Sequence, residues 1–156
     1  MIGNQKVLEQ LNAALASELT AIAQYMAQSE MCENWGYGRL SSLTKARAIE
    51  EMKHAEGLIE RIIFLDAIPA VNVALKPNLG KNPKNQMEID LADELEAVKE
   101  YNHAVKVCRE ANDDGTSVLF EKMIKDEERH ADFLESQLHA IEEMGVEIYL
   151  SKQTGS

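Results

Sequence analysis

Two short segments place a carboxylate and an imidazole at the same helical spacing. "EEMKHAEGL" holds Glu51 and His54, and "DEERHADFL" holds Glu127 and His130. Residues at i and i+3 project from one face of a helix, so each pair can present an oxygen and a nitrogen to a common point. Two further acids stand where a helix should be apolar: Glu18 between Leu15 and Ile22, and Glu94 between Leu91 and Val98. These positions repeat at one offset of 76 residues, which relates Glu51 to Glu127, His54 to His130, Glu18 to Glu94, Tyr25 to Tyr101 and Leu15 to Leu91. A duplicated helical hairpin, packed about a pseudo-two-fold axis, would bring both polar sets to one place in the core.

Four carboxylates in an apolar core repel one another and lose hydration, at several kcal/mol per ion if nothing compensates them. No lysine falls on those faces, and Arg47, one turn before Glu51, is the one nearby cation. Two divalent metal ions would balance the four carboxylates. An oxygen-rich set with one imidazole per ion suits iron or manganese, and zinc also accepts it. The spacing therefore predicts a dinuclear metal site built from Glu18, Glu51, His54, Glu94, Glu127 and His130. Tyr25, two turns from Glu18, is placed either as a plain core residue or as a hydrogen-bond partner or electron donor beside the site.

The elements that would carry these residues are long helices. Apolar residues recur at three- and four-residue steps over about 4–35, 39–66, 85–111 and 117–144. Gly36 and Gly38 break the first from the second. Asn85, with Glu88 three residues on, reads as the cap of the third helix; Gly115 reads as a stop, with Thr116 or Ser117 capping the fourth. The stretch 67–84 contains Pro69, Pro77, Gly80 and Pro83, so it is not helix interior. It is long for a loop, and a crossover along a bundle explains that length. After Gly145, "VEIYLSKQ" suits a short extra helix. The expectation is an all-α chain, one domain over 1–156: an antiparallel four-helix bundle with a long crossover and a short fifth C-terminal helix.

Composition narrows the partners. The chain has 156 residues and a formal net charge of −11, which disfavours nucleic acid and anionic membrane surfaces and favours cations. Cys32 and Cys108 stand in no metal or redox spacing and read as reduced thiols. The N-terminal segment "MIGNQKVLEQ" is polar and no apolar run is of membrane-spanning length, so a cytoplasmic location is expected.

The segments "LNAALASELTAIAQY", "NWG", "EEMKHAEGLIERIIFL", "DLADELEAV", "DEERHADFLE" and "MGVEIYL" together resemble the bacterioferritins over nearly the whole chain. The resemblance implies a ferritin-like bundle assembled from dimers into a hollow shell of 24 identical subunits. It implies a ferroxidase that oxidises Fe2+ to Fe3+ with O2 or H2O2 and stores ferric mineral. By the same resemblance two iron ions bind per subunit. Glu51 and Glu127 would bridge them, Glu18 and Glu94 would be terminal ligands, and His54 and His130 would bind one iron each. Met52 follows Glu51 by one residue and so turns about 100° away from the metal face. By spacing alone it fits a subunit contact. The resemblance makes it the axial ligand of a haem b shared by two subunits, with Leu19, Ile22, Met26 and Ile49 as apolar neighbours and a small ferredoxin as possible electron donor for iron release. The chain departs from some members at Ala46, where they carry an inner-surface histidine beside the retained Glu50. It departs again at Leu58 and Phe133, which replace aromatic companions of Tyr25.

Overall fold

Runs of Ala, Leu, Glu, Met and Lys with few interior glycines favour helix at nearly every position outside the turns. The computed structural model, which describes residues 1–156, contains five helices and no strand: α1 (Gln5–Asn34), α2 (Gly38–Phe64), α3 (Pro83–Glu110), α4 (Asp114–Met144) and α5 (Val146–Ser151). α1 and α2 pair as one hairpin and α3 and α4 as another, with α1 also against α3. The result is a four-helix bundle followed by a short C-terminal helix.

Helix ends follow from local chemistry. Asn4 opens α1, its side chain accepting from the amides of Lys6 and Val7. Gly36, at φ 89°, supplies the left-handed turn into α2 that a side chain would resist. Two expected boundaries shift. α3 begins at Pro83 rather than 85, because Asn82 Oδ1 accepts from the Asn85 amide at 2.8 Å, and proline at the first helical position gives up only an amide that has no intrahelical partner. α4 begins at Asp114, capped by Asp113 and not by Thr116 or Ser117. Gly115 therefore lies in the first turn and is not a stop. It lacks a side chain because a Cβ there would approach Arg61 Nη2 to 2.6 Å.

The crossover between α2 and α3 runs alongside α1. The Ala70 amide donates to Asn12 Oδ1 at 2.9 Å and the Asn78 amide to Gln24 Oε1 at 3.0 Å. Those contacts climb α1 from Asn12 to Gln24, so the crossover carries the chain along the bundle and α3 descends beside α1. Gln24 and Gln28 also donate to Asp90 Oδ1, each at 2.9 Å, which ties α1 to α3 beneath the crossover.

The apolar core comes in two parts. One holds Val7, Leu11, Leu15, Leu58, Ile62, Phe120 and Met123. The other holds Cys32, Leu40, Met87, Leu134, Ile141 and Tyr149. Between Leu15 and Cys32 on α1, and between Leu58 and Leu40 on α2, the buried residues include charged and polar ones. The apolar ends hold the helices together about a polar middle.

Asp113 joins α2 to the start of α4: its carboxylate accepts from the Thr116 amide at 3.0 Å and from Arg61 Nη2 at 3.0 Å. Asp113→Ala should lower unfolding stability by about 1–2 kcal/mol, read as a drop in the denaturant midpoint at unchanged slope.

Candidate metal centre

The polar middle is built by all four long helices. Glu18 comes from α1, Glu51 and His54 from α2, Glu94 from α3, and Glu127 and His130 from α4. Five of the six are buried and His54 nearly so. Their ligand atoms form two overlapping groups, each with its atoms within 4.8 Å of one another: Glu18, Glu51, His54 and Glu127 in one, Glu51, Glu94, Glu127 and His130 in the other. Glu51 and Glu127 belong to both groups and so stand between the two points.

Each of the six residues also keeps one buried atom without a hydrogen-bond partner: Glu18 Oε2, Glu51 Oε1, His54 Nδ1, Glu94 Oε2, Glu127 Oε1 and His130 Nδ1. Buried polar atoms are rarely left unpaired, and six converging on one spot are what a pair of cations would satisfy. The donor set, four carboxylates and two imidazoles, fits two divalent ions in charge and in number.

The second nitrogen of each histidine and the second oxygens of Glu18 and Glu94 are held by a crosswise arrangement. His54 Nε2 donates to Asp126 Oδ2 of α4 at 2.8 Å, and His130 Nε2 donates to Glu50 Oε2 of α2 at 2.5 Å. Each acid directly precedes a cluster glutamate, and each serves the histidine of the opposite helix. Fixing Nε2–H on a carboxylate turns Nδ1 towards the centre and raises its basicity as a ligand. Tyr25 Oη donates to Glu94 Oε1 at 2.6 Å, and Tyr101 Oη donates to Glu18 Oε1 at 2.5 Å. Every one of these contacts has a counterpart 76 residues on, which is the pseudo-two-fold symmetry seen at atomic scale.

The Ferritin-like domain family matches residues 8–144. Among relatives, the chain is 42% identical over 149 residues to the bacterioferritin of Mycolicibacterium paratuberculosis, covering 96% of this chain and 94% of that one. It is 41% identical over 145 residues to the bacterioferritin of Rhodobacter capsulatus, covering 93% and 90%. It is 39% identical over 149 residues to that of Brucella melitensis, covering 96% and 92%. The chain belongs to the bacterioferritin family.

Within that family frame, the six residues expected from the sequence converge on one place, and Tyr25 lies beside them. Its partner is Glu94 across the bundle and not the nearer-in-sequence Glu18. Glu50 and Asp126 were not among the expected site residues. The signal was present, since both acids precede Glu51 and Glu127 at the same 76-residue offset, but nothing in one dimension says that they cross over. Met52 lies outside the cluster, 45% exposed on the outer face of α2. A cavity of about 390 Å³ between α1 and α3 joins the buried Glu18, Glu51, Glu94 and Glu127 to Asp93, Glu96 and Glu100 at the surface. No helix is long and apolar enough to cross a membrane.

Without cations the cluster keeps protons. Burial, reinforced by Glu51, pushes the Glu18 carboxyl well above the usual range. Burial opposes charge on His130, but Glu127 and Glu51 outweigh it and raise the imidazole to about 9. Burial likewise opposes charge on His54, and Glu127, Glu18 and Glu51 together raise it strongly. A histidine raised above its unfolded value of 6.5 stabilises the fold fully below that pH and loses the contribution as pH climbs through about 9. Metal-free protein should therefore melt at lower temperature at pH 9 than at pH 6.5. A cation must displace the same protons, so its apparent affinity should rise from pH 6.5 towards 9, by up to about tenfold per pH unit for each proton displaced. Zn2+ competition against a chelator across that range checks the sign.

Proposed function

We propose that the chain is an iron-storing ferroxidase whose catalytic site is the six-residue cluster. The observation that carries this reading is the convergence of six partnerless buried atoms into two groups that share Glu51 and Glu127. Fe2+ is the substrate. It reaches the cluster through the acidic cavity between α1 and α3, drawn by Asp93, Glu96 and Glu100. Glu18 with His54 would hold one ion and Glu94 with His130 the other, with Glu51 and Glu127 shared between them. Carboxylates favour Fe3+ over Fe2+, so the donor set lowers the potential and drives electron transfer to O2 or H2O2. Holding two ions together lets the oxidant take an electron from each in one encounter. Tyr25 and Tyr101 keep Glu94 and Glu18 oriented as ligands, while Asp126 and Glu50 keep both imidazoles aimed inward. Tyr25 also stands close enough to supply an electron when only one iron is present.

The ferric product is stored in the hollow of a cytoplasmic shell of 24 subunits assembled from dimers, each chain acting as one domain over 1–156. The outward face of α1 and α2 supports a dimer contact that takes haem b. Met52 is 45% exposed there, with Met26 at 56% and Ile49 at 44%, and Leu19 and Ile22 are half-buried on the same two helices. A thioether from each subunit's Met52 would hold the haem iron, and a haem bound there would supply an electron path inward for mineral reduction from a small ferredoxin.

Two measurements test this reading. Glu18→Ala combined with Glu94→Ala should reduce Fe2+ oxidation to the rate of iron in buffer; oxidation at the wild-type rate would remove the cluster from the chemistry. Met52→Leu should abolish the bis-thioether haem absorption band while leaving Fe2+ oxidation intact, and a retained band would exclude Met52 as ligand.

A further inference from the structure

The two halves of the cluster are alike in ligands and unlike in charge. Arg47 lies on α2, one turn before Glu51, with only 12% of its side chain exposed. Its Nη2 pairs with Glu94 Oε1 and donates to Tyr25 Oη at 3.2 Å. Its guanidinium also stacks on the Tyr25 ring, 4.9 Å from the centroid. The position 76 residues later is Met123, which is buried in the apolar core. Glu18, the counterpart of Glu94, therefore has Tyr101 and His54 but no guanidinium. At Arg47 and Met123 the internal repeat therefore puts a positive charge beside one half of the cluster and none beside the other.

We propose that Arg47 is the resident counter-ion of the Glu94–His130 half, so that the two halves bind cations unequally, Glu18–His54 first and Glu94–His130 second. This rests on the metal-centre reading above. An ion arriving at Glu18 and His54 meets no fixed guanidinium. An ion arriving at Glu94 must compete with a guanidinium already paired there or sit within a few ångströms of its positive charge, in a buried site where such repulsion is weakly screened. The same pairing lessens the repulsion among four buried acids when cations are scarce, which is the condition in which a store must remain folded. Release has somewhere to go. A cavity of about 40 Å³ adjoins Arg47, with Thr44 and the buried carboxylate of Asp90 on its walls. Turning from Glu94 towards Asp90 would exchange one carboxylate partner for another.

Zn2+ and Co2+ titrations of the full chain, by calorimetry and by Co2+ visible absorption, test the assignment. Two bound ions repel each other in every variant, so the informative quantity is the ratio between the first and second affinities. Arg47→Met places the counterpart residue at the position and should tighten the second step, narrowing the ratio roughly tenfold or more. Arg47→Gln should do the same while keeping a donor for Tyr25, which guards against a packing defect in the methionine variant. Arg47→Lys retains the charge and should keep the wild-type ratio. Crystals of wild type with less than one equivalent of Zn2+ should show greater anomalous occupancy beside His54 than beside His130, and nearly equal occupancy in Arg47→Met. A second step unchanged or weakened in both neutral variants would overturn the proposal, as would greater occupancy beside His130. Two ions bound with an unaltered ratio would overturn this assignment alone, whereas no binding in any variant would overturn the metal centre with it.

Discussion

Four carboxylates held in the middle of an apolar bundle are the constraint around which this molecule is organised. Isolated from water and from one another's counter-charges, they would cost several kcal/mol each, a large share of the stability a domain of this size commands. The structure meets that cost with two imidazoles, two tyrosine hydroxyls and one guanidinium, and leaves one atom of each of the six central residues buried without a hydrogen-bond partner. A core selected only for stability would have filled these positions with leucine. Retaining the acids makes sense where cations are to be taken up there, since the same desolvation that penalises the bare carboxylates strengthens their hold on an ion.

The geometry depends on crossing over. Each half of the internal repeat supplies ligands to the centre, but each half is oriented by the other: Glu50 of the first hairpin holds His130 of the second, Asp126 holds His54, Tyr25 holds Glu94 and Tyr101 holds Glu18. None of these contacts exists within a single hairpin. The centre is therefore complete only when the two hairpins pack, and the apolar clusters at either end, around Leu11 and Phe120 and around Leu134 and Ile141, are what bring them into register. Stability at the ends and chemistry in the middle are separate in residues and joined in consequence.

Departures from the repeat mark where the two halves do different work. Arg47 against Met123 puts a positive charge beside one half of the cluster. Met52 against Glu128 puts a thioether on the outer face of α2 where α4 carries an acid. The crossover has no counterpart at all, and its contacts with Asn12 and Gln24 let α3 start at the top of the bundle. Symmetry gives the paired centre, and each break in it adds a property that a symmetric pair would lack.

The helices, their order and the six central residues were legible in the sequence because each is a statement about periodicity. A glutamate at Glu18 or Glu94 stands out against a stripe of leucines, and a repeat at a single offset identifies its own members. Membership of the bacterioferritin family was legible for the same reason, being carried by those residues and their neighbours. Helix starts were less so, since Asn82 and Asn85, or Asp113 and Thr116, are chemically equivalent caps and the choice falls to the proline and to the close approach of Arg61 at Gly115. What only the tertiary structure decided is which side chain meets which. Tyr25 is seven residues from Glu18 and serves Glu94, Glu50 adjoins Glu51 and serves His130, and Arg47 lies nearest Glu51 in sequence and pairs with Glu94. Spacing along one helix specifies a direction in space, but the residue waiting in that direction belongs to another helix, and only packing brings it there.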